Sequence, residues 1–169
     1  LQITVLEDLN IEAVFTKIPN AVTVSYELPT GWNWFSINVK DENLNNPVAL
    51  LEPIKQSVVS VLGREEDLVY DDQYGLYGSL TAFKPDRGYK VRVKEDVDFS
   101  LKGIPFAENE VTITLNKGWN WMGYTPNMEM SVNAALCNLM AEEGDIVMAQ
   151  DQFATYDGAA WKGSLSVLA

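Results

Sequence analysis

The chain carries one four-residue motif twice, first as Gly31-Trp32-Asn33-Trp34 and again, 87 residues later, as Gly118-Trp119-Asn120-Trp121. Other short motifs recur at similar distances. Asp67-Leu68-Val69, for example, returns 78 residues later as Asp145-Ile146-Val147. Self-similarity at a nearly fixed period indicates that one structural unit is written twice.

The repeat predicts two homologous units, residues 1–88 and residues 89–169. Alternation of apolar and polar residues, as in residues 22–26, favours strands with one buried face. Apolar residues at helical spacing after Pro53 predict one helix in the first unit. The same stripe follows Ser131, a good N-cap, in the second unit. The predicted fold class is therefore α+β and predominantly β, with about six strands and one short helix in each repeat.

The two termini interrupt the repeat at the same place. Residues 84–88, Lys-Pro-Asp-Arg-Gly, predict the turn of a hairpin. Strands at residues 1–6 and 161–168 are then each without the expected hairpin partner, and an unpaired apolar edge is unfavourable. We predict that these two strands pair and close a pseudo-two-fold body. The alternative is an array whose neighbouring units lie outside this sequence.

Composition excludes several classes of function. The net charge of −12 disfavours nucleic acid and anionic membrane surfaces as partners, because both need a basic face. The chain has no histidine, which removes the usual general base and the commonest metal ligand. Cys137 is the only cysteine, so no internal disulfide forms, and we predict a buried apolar role for it. No apolar run is long enough to cross a membrane, so we predict no membrane insertion.

The tryptophans of the two motifs invite two interpretations. Trp32 and Trp34 share one face of a strand, as do Trp119 and Trp121, because residues two apart point the same way. Paired indoles can form a stacking platform, but Trp also buries much apolar area. Because all four recur without drift, we predict that they are structural anchors in the core. The asparagine between each pair is predicted to bridge to a neighbouring turn.

The predicted ligand-binding residues lie elsewhere. Trp161 belongs to a six-residue insertion in the second copy, together with Tyr156 and Asp157. Tyr77 holds the corresponding place in the first copy. Aromatic residues beside glycines on a loop are well placed to meet a ligand, so these four residues are our binding candidates.

The acidic clusters favour a solvated surface over a cofactor site. The main clusters are residues 65–67, residues 71–72 and residues 142–145. We predict no cofactor and no metal. Calcium is the alternative, and it is a weak one because no run of residues matches the spacing of an EF-hand loop. Hydrolysis of a glycoside by two carboxylates is a remote alternative, and we predict that the chain is not an enzyme.

The assembled pattern resembles a known kind of module. It runs from Gly-Trp-Asn-Trp through a short helix, Gly-Asp-Ile-Val, Asp-Gln-Phe and Trp-Lys-Gly-Ser-Leu into Gly-Tyr-Lys-Val. It resembles modules of large secreted and cell-surface proteins of Bacteroidetes-type bacteria, over residues 31–89 and 118–168. The first copy departs from it with Glu66 where the second has Gly144. The resemblance implies an extracellular or cell-surface, non-catalytic unit and transfers no binding or catalytic residue.

The sequence thus predicts a non-catalytic extracellular module of a larger secreted or surface protein, with a structural or adhesive role. Its partner is predicted to be a protein or a glycan at a cell surface. A carbohydrate-binding module that uses exposed aromatic residues is the alternative.

Overall fold

The computed structural model describes residues 20–107 and 110–169. Of these residues 41% are in strands and 8% in helices, and the strands form several antiparallel sheets. The first half contributes eight strands: β1 (Val22–Leu28), β2 (Gly31–Ser36), β3 (Val39–Lys40), β4 (Val58–Leu62), β5 (Asp67–Asp71), β6 (Gly75–Gly78), β7 (Gly88–Val93) and β8 (Val97–Pro105). The second half contributes five: β9 (Met130–Ser131), β10 (Ile146–Met148), β11 (Phe153–Tyr156), β12 (Trp161–Gly163) and β13 (Val167–Leu168). Two short helices complete the described part, α1 (Pro47–Leu51) and α2 (Val132–Ala135), and a 3₁₀ turn (Glu52–Ile54) follows α1.

The largest sheet has five antiparallel strands in the order β2-β7-β4-β5-β6. Its inner face carries alternate apolar residues such as Val61, Leu68, Val91 and Val93, all of which are buried. A second sheet, β1-β8-β3, packs over this inner face with Phe99 and Leu101 of β8. One continuous core therefore lies between two sheets, and the outer face of the five-stranded sheet is left to the surface.

The second half has a much smaller core. Its buried members are Val132, Ala154, Trp161 and Leu165. They lie beneath the three-stranded sheet β10-β11-β12 and beside the β13-β9 pair. Ser131 caps α2 as predicted, because its Oγ accepts a hydrogen bond from the N–H of Ala134 at 3.2 Å.

The helix predicted after Pro53 is wrong. Residues 58–62 form the strand β4, and the helix precedes them as α1. The register of β4 against β7 shifts between Val58 and Ser60, which is a β-bulge. A bulge inserts one residue, so Val58 and Val61 both face the core although they lie three apart. Three-residue spacing of buried valines therefore imitated a helix. In the second half α2 ends at Ala135, and the predicted stripe residues Leu139 and Met140 are exposed.

The second motif copy is not a strand. Residues 111–121 contain no strand, and the next residue, Met122, forms one isolated bridge with Arg87. The predicted hairpin at residues 84–88 is also only half right. A turn is present, since the N–H of Arg87 donates to the oxygen of Lys84 at 3.2 Å, and β7 follows it. Residues 79–83 before the turn are not a strand.

The predicted strands within residues 1–19, and the pairing of residues 1–6 with 161–168, lie outside the described residues. The division at residue 88 stays a prediction. It falls at the start of β7, the strand between β2 and β4, so a unit that ended there would lack an inner strand of its own sheet.

Candidate functional site

A hydrogen-bonded turn sets the orientation of the first motif. The side-chain amide of Asn33 donates to the oxygen of Pro29 at 2.7 Å and to the oxygen of Gly31 at 3.3 Å. Gly31 has φ of 109°, a conformation that favours glycine. These two hydrogen bonds confirm the prediction that Asn33 bridges to a neighbouring turn, and Asn33 is buried. Because Asn33 points inward, the residues on either side of it point outward.

The prediction that the strand tryptophans are core anchors is wrong. Trp32 is 41% exposed and Trp34 is 40% exposed. Both lie on the outer face of the five-stranded sheet, because the alternation of β2 places the polar Asn33 inside. The polarity of this strand is thus inverted relative to the usual pattern of apolar residues inside.

Basic residues of β7 stand beside the two indoles. In the antiparallel register Trp32 is opposite Arg92, and Trp34 is opposite Lys90. Side chains directly opposite each other on one face have Cβ atoms about 4.5–5.5 Å apart. We call Trp32, Trp34, Lys90 and Arg92 the aromatic–cationic face.

Lys90 joins the two motif copies. Its Nζ lies 4.2 Å from the ring centroid of Trp34 and 4.6 Å from that of Trp121. An ammonium held over an aromatic face within about 6 Å is attracted by the ring quadrupole. Trp121, which is half-buried, therefore contributes to this face from the second half of the chain.

The second motif reproduces the turn but not the strand. The Asn120 amide donates to the oxygens of Asn116 and Gly118 at 2.7 and 2.8 Å, and Gly118 has φ of 95°. Its other indole, Trp119, is 61% exposed, so the core prediction is wrong there too. The physical reason is that residues 118–121 are not paired along their length with any described strand.

The outer edge of β2 is occupied. The backbone N–H of Trp34 donates to Oε1 of Gln150 at 2.9 Å. The hydroxyl of Ser36 accepts from the N–H of Tyr124 at 3.0 Å. Gln150 thus satisfies one backbone N–H at this edge with which an added strand would pair.

Trp161 does not lie on an exposed loop. It is 8% exposed, belongs to β12 and contacts Tyr156 in a tilted arrangement, with 5.3 Å between ring centroids. The side chain of Asn133 holds it in place, since Oδ1 accepts from the N–H of Trp161 at 2.8 Å. The insertion that carries these residues folds as the hairpin β11–β12, and this hairpin brings the indole into the small core.

Asp157 shapes the tip of that hairpin. Its carboxylate accepts hydrogen bonds from the N–H groups of Ala159 and Ala160 at 3.0 and 2.9 Å, and it pairs with Lys162. The hydrogen bond from Lys162, followed by the two backbone donors, lowers the pKa of Asp157 to about 2. These contacts account for Asp157 as a turn residue.

Tyr77 is the one predicted binding residue that shares a face with the indoles. It is 50% exposed on β6 and makes an edge-to-face contact with Tyr74 at 6.4 Å between ring centroids. It lies at the opposite edge of the sheet from Trp32. Trp161, Tyr156 and Asp157 belong to the separate sheet of the second half, so the four predicted residues do not form one site.

The described residues offer little for other chemistry. Among them no group of three or more Cys, Asp or Glu residues is arranged to hold a metal ion. None of the helices found in residues 20–107 and 110–169 is long and apolar enough to cross a membrane. Cys137 is exposed, so the prediction of a buried cysteine is wrong, because α2 ends before that residue.

Sequence reasoning missed Lys90, Arg92 and Gln150 as members of the site. A signal for two of them was present, since β7 alternates apolar and basic residues in Tyr89-Lys90-Val91-Arg92-Val93. The contact of Lys90 with Trp34 bridges 56 residues of sequence, and no local pattern gives it.

Comparison of the chain with protein-family models, with curated proteins and with solved structures found no match.

Proposed function

We propose that this chain is a non-catalytic binding module of a larger secreted or cell-surface protein, and that it serves adhesion through the aromatic–cationic face. The observation that carries the proposal is the exposure of Trp32 and Trp34 side by side on a sheet face. Exposed tryptophans are costly to leave in water, and Trp and Arg dominate the binding energy of many interfaces.

The geometry of the sheet supports a binding role over a catalytic one. The aromatic–cationic face lies on β2 and β7, which pair without interruption from Gly31 to Ser36. A rigid scaffold holds contact residues precisely enough for recognition. The chain supplies no histidine for general acid–base chemistry at this face, and its indoles have no nucleophilic role.

We also infer that the two halves are homologous units. One local structure supports this inference. Asn33 and Asn120 make the same amide bridge to the preceding turn.

Carbohydrate is the second candidate for the ligand, beside a protein partner. Indoles that project from neighbouring positions of one strand present flat apolar faces to solvent, and sugar rings offer flat C–H faces of matching shape. The exposure of Trp32 and Trp34 supports this candidate, because buried indoles cannot stack on a sugar.

The proposal is tested by adhesion of the purified chain to surfaces coated with glycans or with extracellular matrix proteins. The variant Trp32→Ala combined with Trp34→Ala is expected to lose adhesion at least tenfold, since two interface anchors each contribute about 1 kcal/mol or more. Trp119→Ala is the matched control, because it removes an exposed indole that is not one of the residues of this face.

Circular dichroism establishes that each variant is folded before adhesion is compared. Equal loss in Trp119→Ala and in the double variant would contradict a role for this face. Surface labelling of intact cells that express the parent gene tests the proposed location independently.

A further inference from the structure

The charge of the aromatic–cationic face is opposite to that of the whole chain. The chain has 24 acidic and 12 basic residues, yet Lys90, Arg92 and Lys94 stand at every second position along β7 and directly after it. None of the three makes an ion pair with a carboxylate of the described residues. A basic stripe without carboxylate partners in the described part of the chain is a place where a negative ligand is favoured.

The nearest carboxylates along the chain are already engaged. Glu95 accepts a hydrogen bond from Ser57 at 2.8 Å. Asp96 accepts from both the N–H and the hydroxyl of Thr30 at 2.7 Å, and these two bonds lower the pKa of Asp96. Their oxygens are thus directed at neighbouring loops, and Arg92 and Lys94 remain exposed.

We propose that the aromatic–cationic face binds an acidic glycan, a chain of sugars that bears carboxylate or sulfate groups. This inference rests on the proposed function and names its ligand. Trp32 and Trp34 stack against sugar rings, and Arg92 with Lys94 binds the acidic groups. Arg92 is suited to this task because its planar guanidinium binds carboxylate and sulfate with two parallel hydrogen bonds.

Lys90 has a different part in this site. Its ammonium is held between Trp34 and Trp121, so it positions the ring of Trp34 more than it meets the ligand. With that ring fixed, less side-chain freedom is lost when a sugar stacks on it.

Other ligands with aromatic and basic complementarity fit less well. An extended peptide that adds a strand needs a free sheet edge, and Gln150 already accepts the N–H of Trp34 at the edge of β2. A glycan needs only ring faces and a few side-chain donors, which this face supplies.

Binding of a panel of acidic glycans, measured by isothermal titration calorimetry on the whole chain, tests the inference. The panel is polygalacturonate, alginate, hyaluronan and chondroitin sulfate, and methyl-esterified polygalacturonate is the matched neutral polymer. We expect at least one acidic glycan to bind, and we expect raising salt from about 0.05 to about 0.5 M to weaken it several-fold. Where the polymer that binds is polygalacturonate, its methyl ester is expected to bind at least fivefold more weakly.

Three variants separate the parts of the site. Arg92→Gln combined with Lys94→Gln is expected to weaken acidic-glycan binding about tenfold, because two charge contacts are lost. Trp32→Ala is expected to weaken it by at least a similar factor. Lys102→Gln, on the exposed side of β8, is the charge-matched control and is expected to bind as the original chain does.

The outcomes distinguish this inference from the proposed function. Binding of neutral and acidic glycans alike, lost in Trp32→Ala and unchanged in the double charge variant, overturns the acidic ligand and leaves the binding face in place. If no acidic glycan binds, while adhesion still depends on Trp32 and Trp34, the acidic ligand is likewise overturned and the binding face remains. If adhesion survives the loss of both indoles, the proposed function fails.

Discussion

Substitution of Lys90 by methionine tests whether the two halves of the chain are held together through the aromatic–cationic face. Methionine keeps a flexible apolar side chain of similar length and removes only the charge. In the original chain the ammonium lies 4.2 Å from the Trp34 ring and 4.6 Å from the Trp121 ring. The substitution therefore deletes two cation–π contacts while the packing of the stem is retained.

The expected loss follows from the position of Lys90. A cation–π contact stabilises by about 0.5–1 kcal/mol at exposed sites, and Lys90 is half-buried, so two contacts amount to about 1–2 kcal/mol. A domain of this size loses about 2–4 °C in melting temperature per kcal/mol. Lys90→Met is thus expected to lower the melting temperature by about 2–8 °C.

Urea unfolding followed by tryptophan fluorescence measures the free energy directly. Lys102→Met is the control, because it removes a basic residue from β8 with no indole beside it. A double-mutant cycle of Lys90→Met with Trp121→Leu should give a coupling energy of about 0.5–1 kcal/mol. If Lys90→Met and Lys102→Met have equal stability, or if the coupling energy is zero, the contact does not join the two halves.

Three further substitutions follow from single contacts. An added Cβ at Gly163 would lie 2.1 Å from the oxygen of Phe153, so Gly163→Ala is expected to lower the free energy of unfolding by about 1–3 kcal/mol in urea titration. The pKa of Asp157 is about 2 in the folded chain against an ordinary 3.8. The stabilisation by the ionised Asp157 carboxylate is therefore complete above pH 3.8 and is lost as pH falls toward 2. The stability of Asp157→Asn, followed by circular dichroism, should depend less on pH between 2 and 3.8. Burial raises the pKa of Tyr26 to about 12 from 10.0. The folded chain therefore loses stability as pH rises from 10 to 12, because the unfolded chain ionises its tyrosine first. Tyr26→Phe should lose less stability over this pH range, as measured by circular dichroism.

The local hydrogen bonds of the fold were predictable from sequence, and the packing of its strands was not. Asn33 bridges to a turn four residues away and Ser131 caps a helix within three residues, so each depends only on neighbours in the chain. The helix predicted over β4 failed for a different reason. The bulge between Val58 and Ser60 is fixed by pairing with β7, about thirty residues away. It changes the spacing of the buried valines from the two residues of a regular strand to three, which is also found on a helix.

The candidate site shows the same division. That Trp32 and Trp34 share a face follows from strand geometry, and this part of the prediction holds. Which face they share depends on Asn33, whose amide is satisfied inside the turn and so can be buried at little cost. The prediction gave the large apolar residues the inner face and so placed the turn-bridging asparagine on the outer face, whereas in the structure Asn33 is buried and Trp32 and Trp34 are exposed.

The two copies of Gly-Trp-Asn-Trp show how far four residues determine structure. Both form the same turn, with a glycine at positive φ and an asparagine amide that bonds back to the preceding carbonyls. Only the first copy is a strand, because β7 pairs with it from Gly31 to Ser36. Among the described residues, the second copy is bridged only next to its end, where Met122 meets Arg87. The motif therefore specifies the turn and the direction of its side chains, whereas a partner strand distant in sequence decides whether its tryptophans form part of a sheet face.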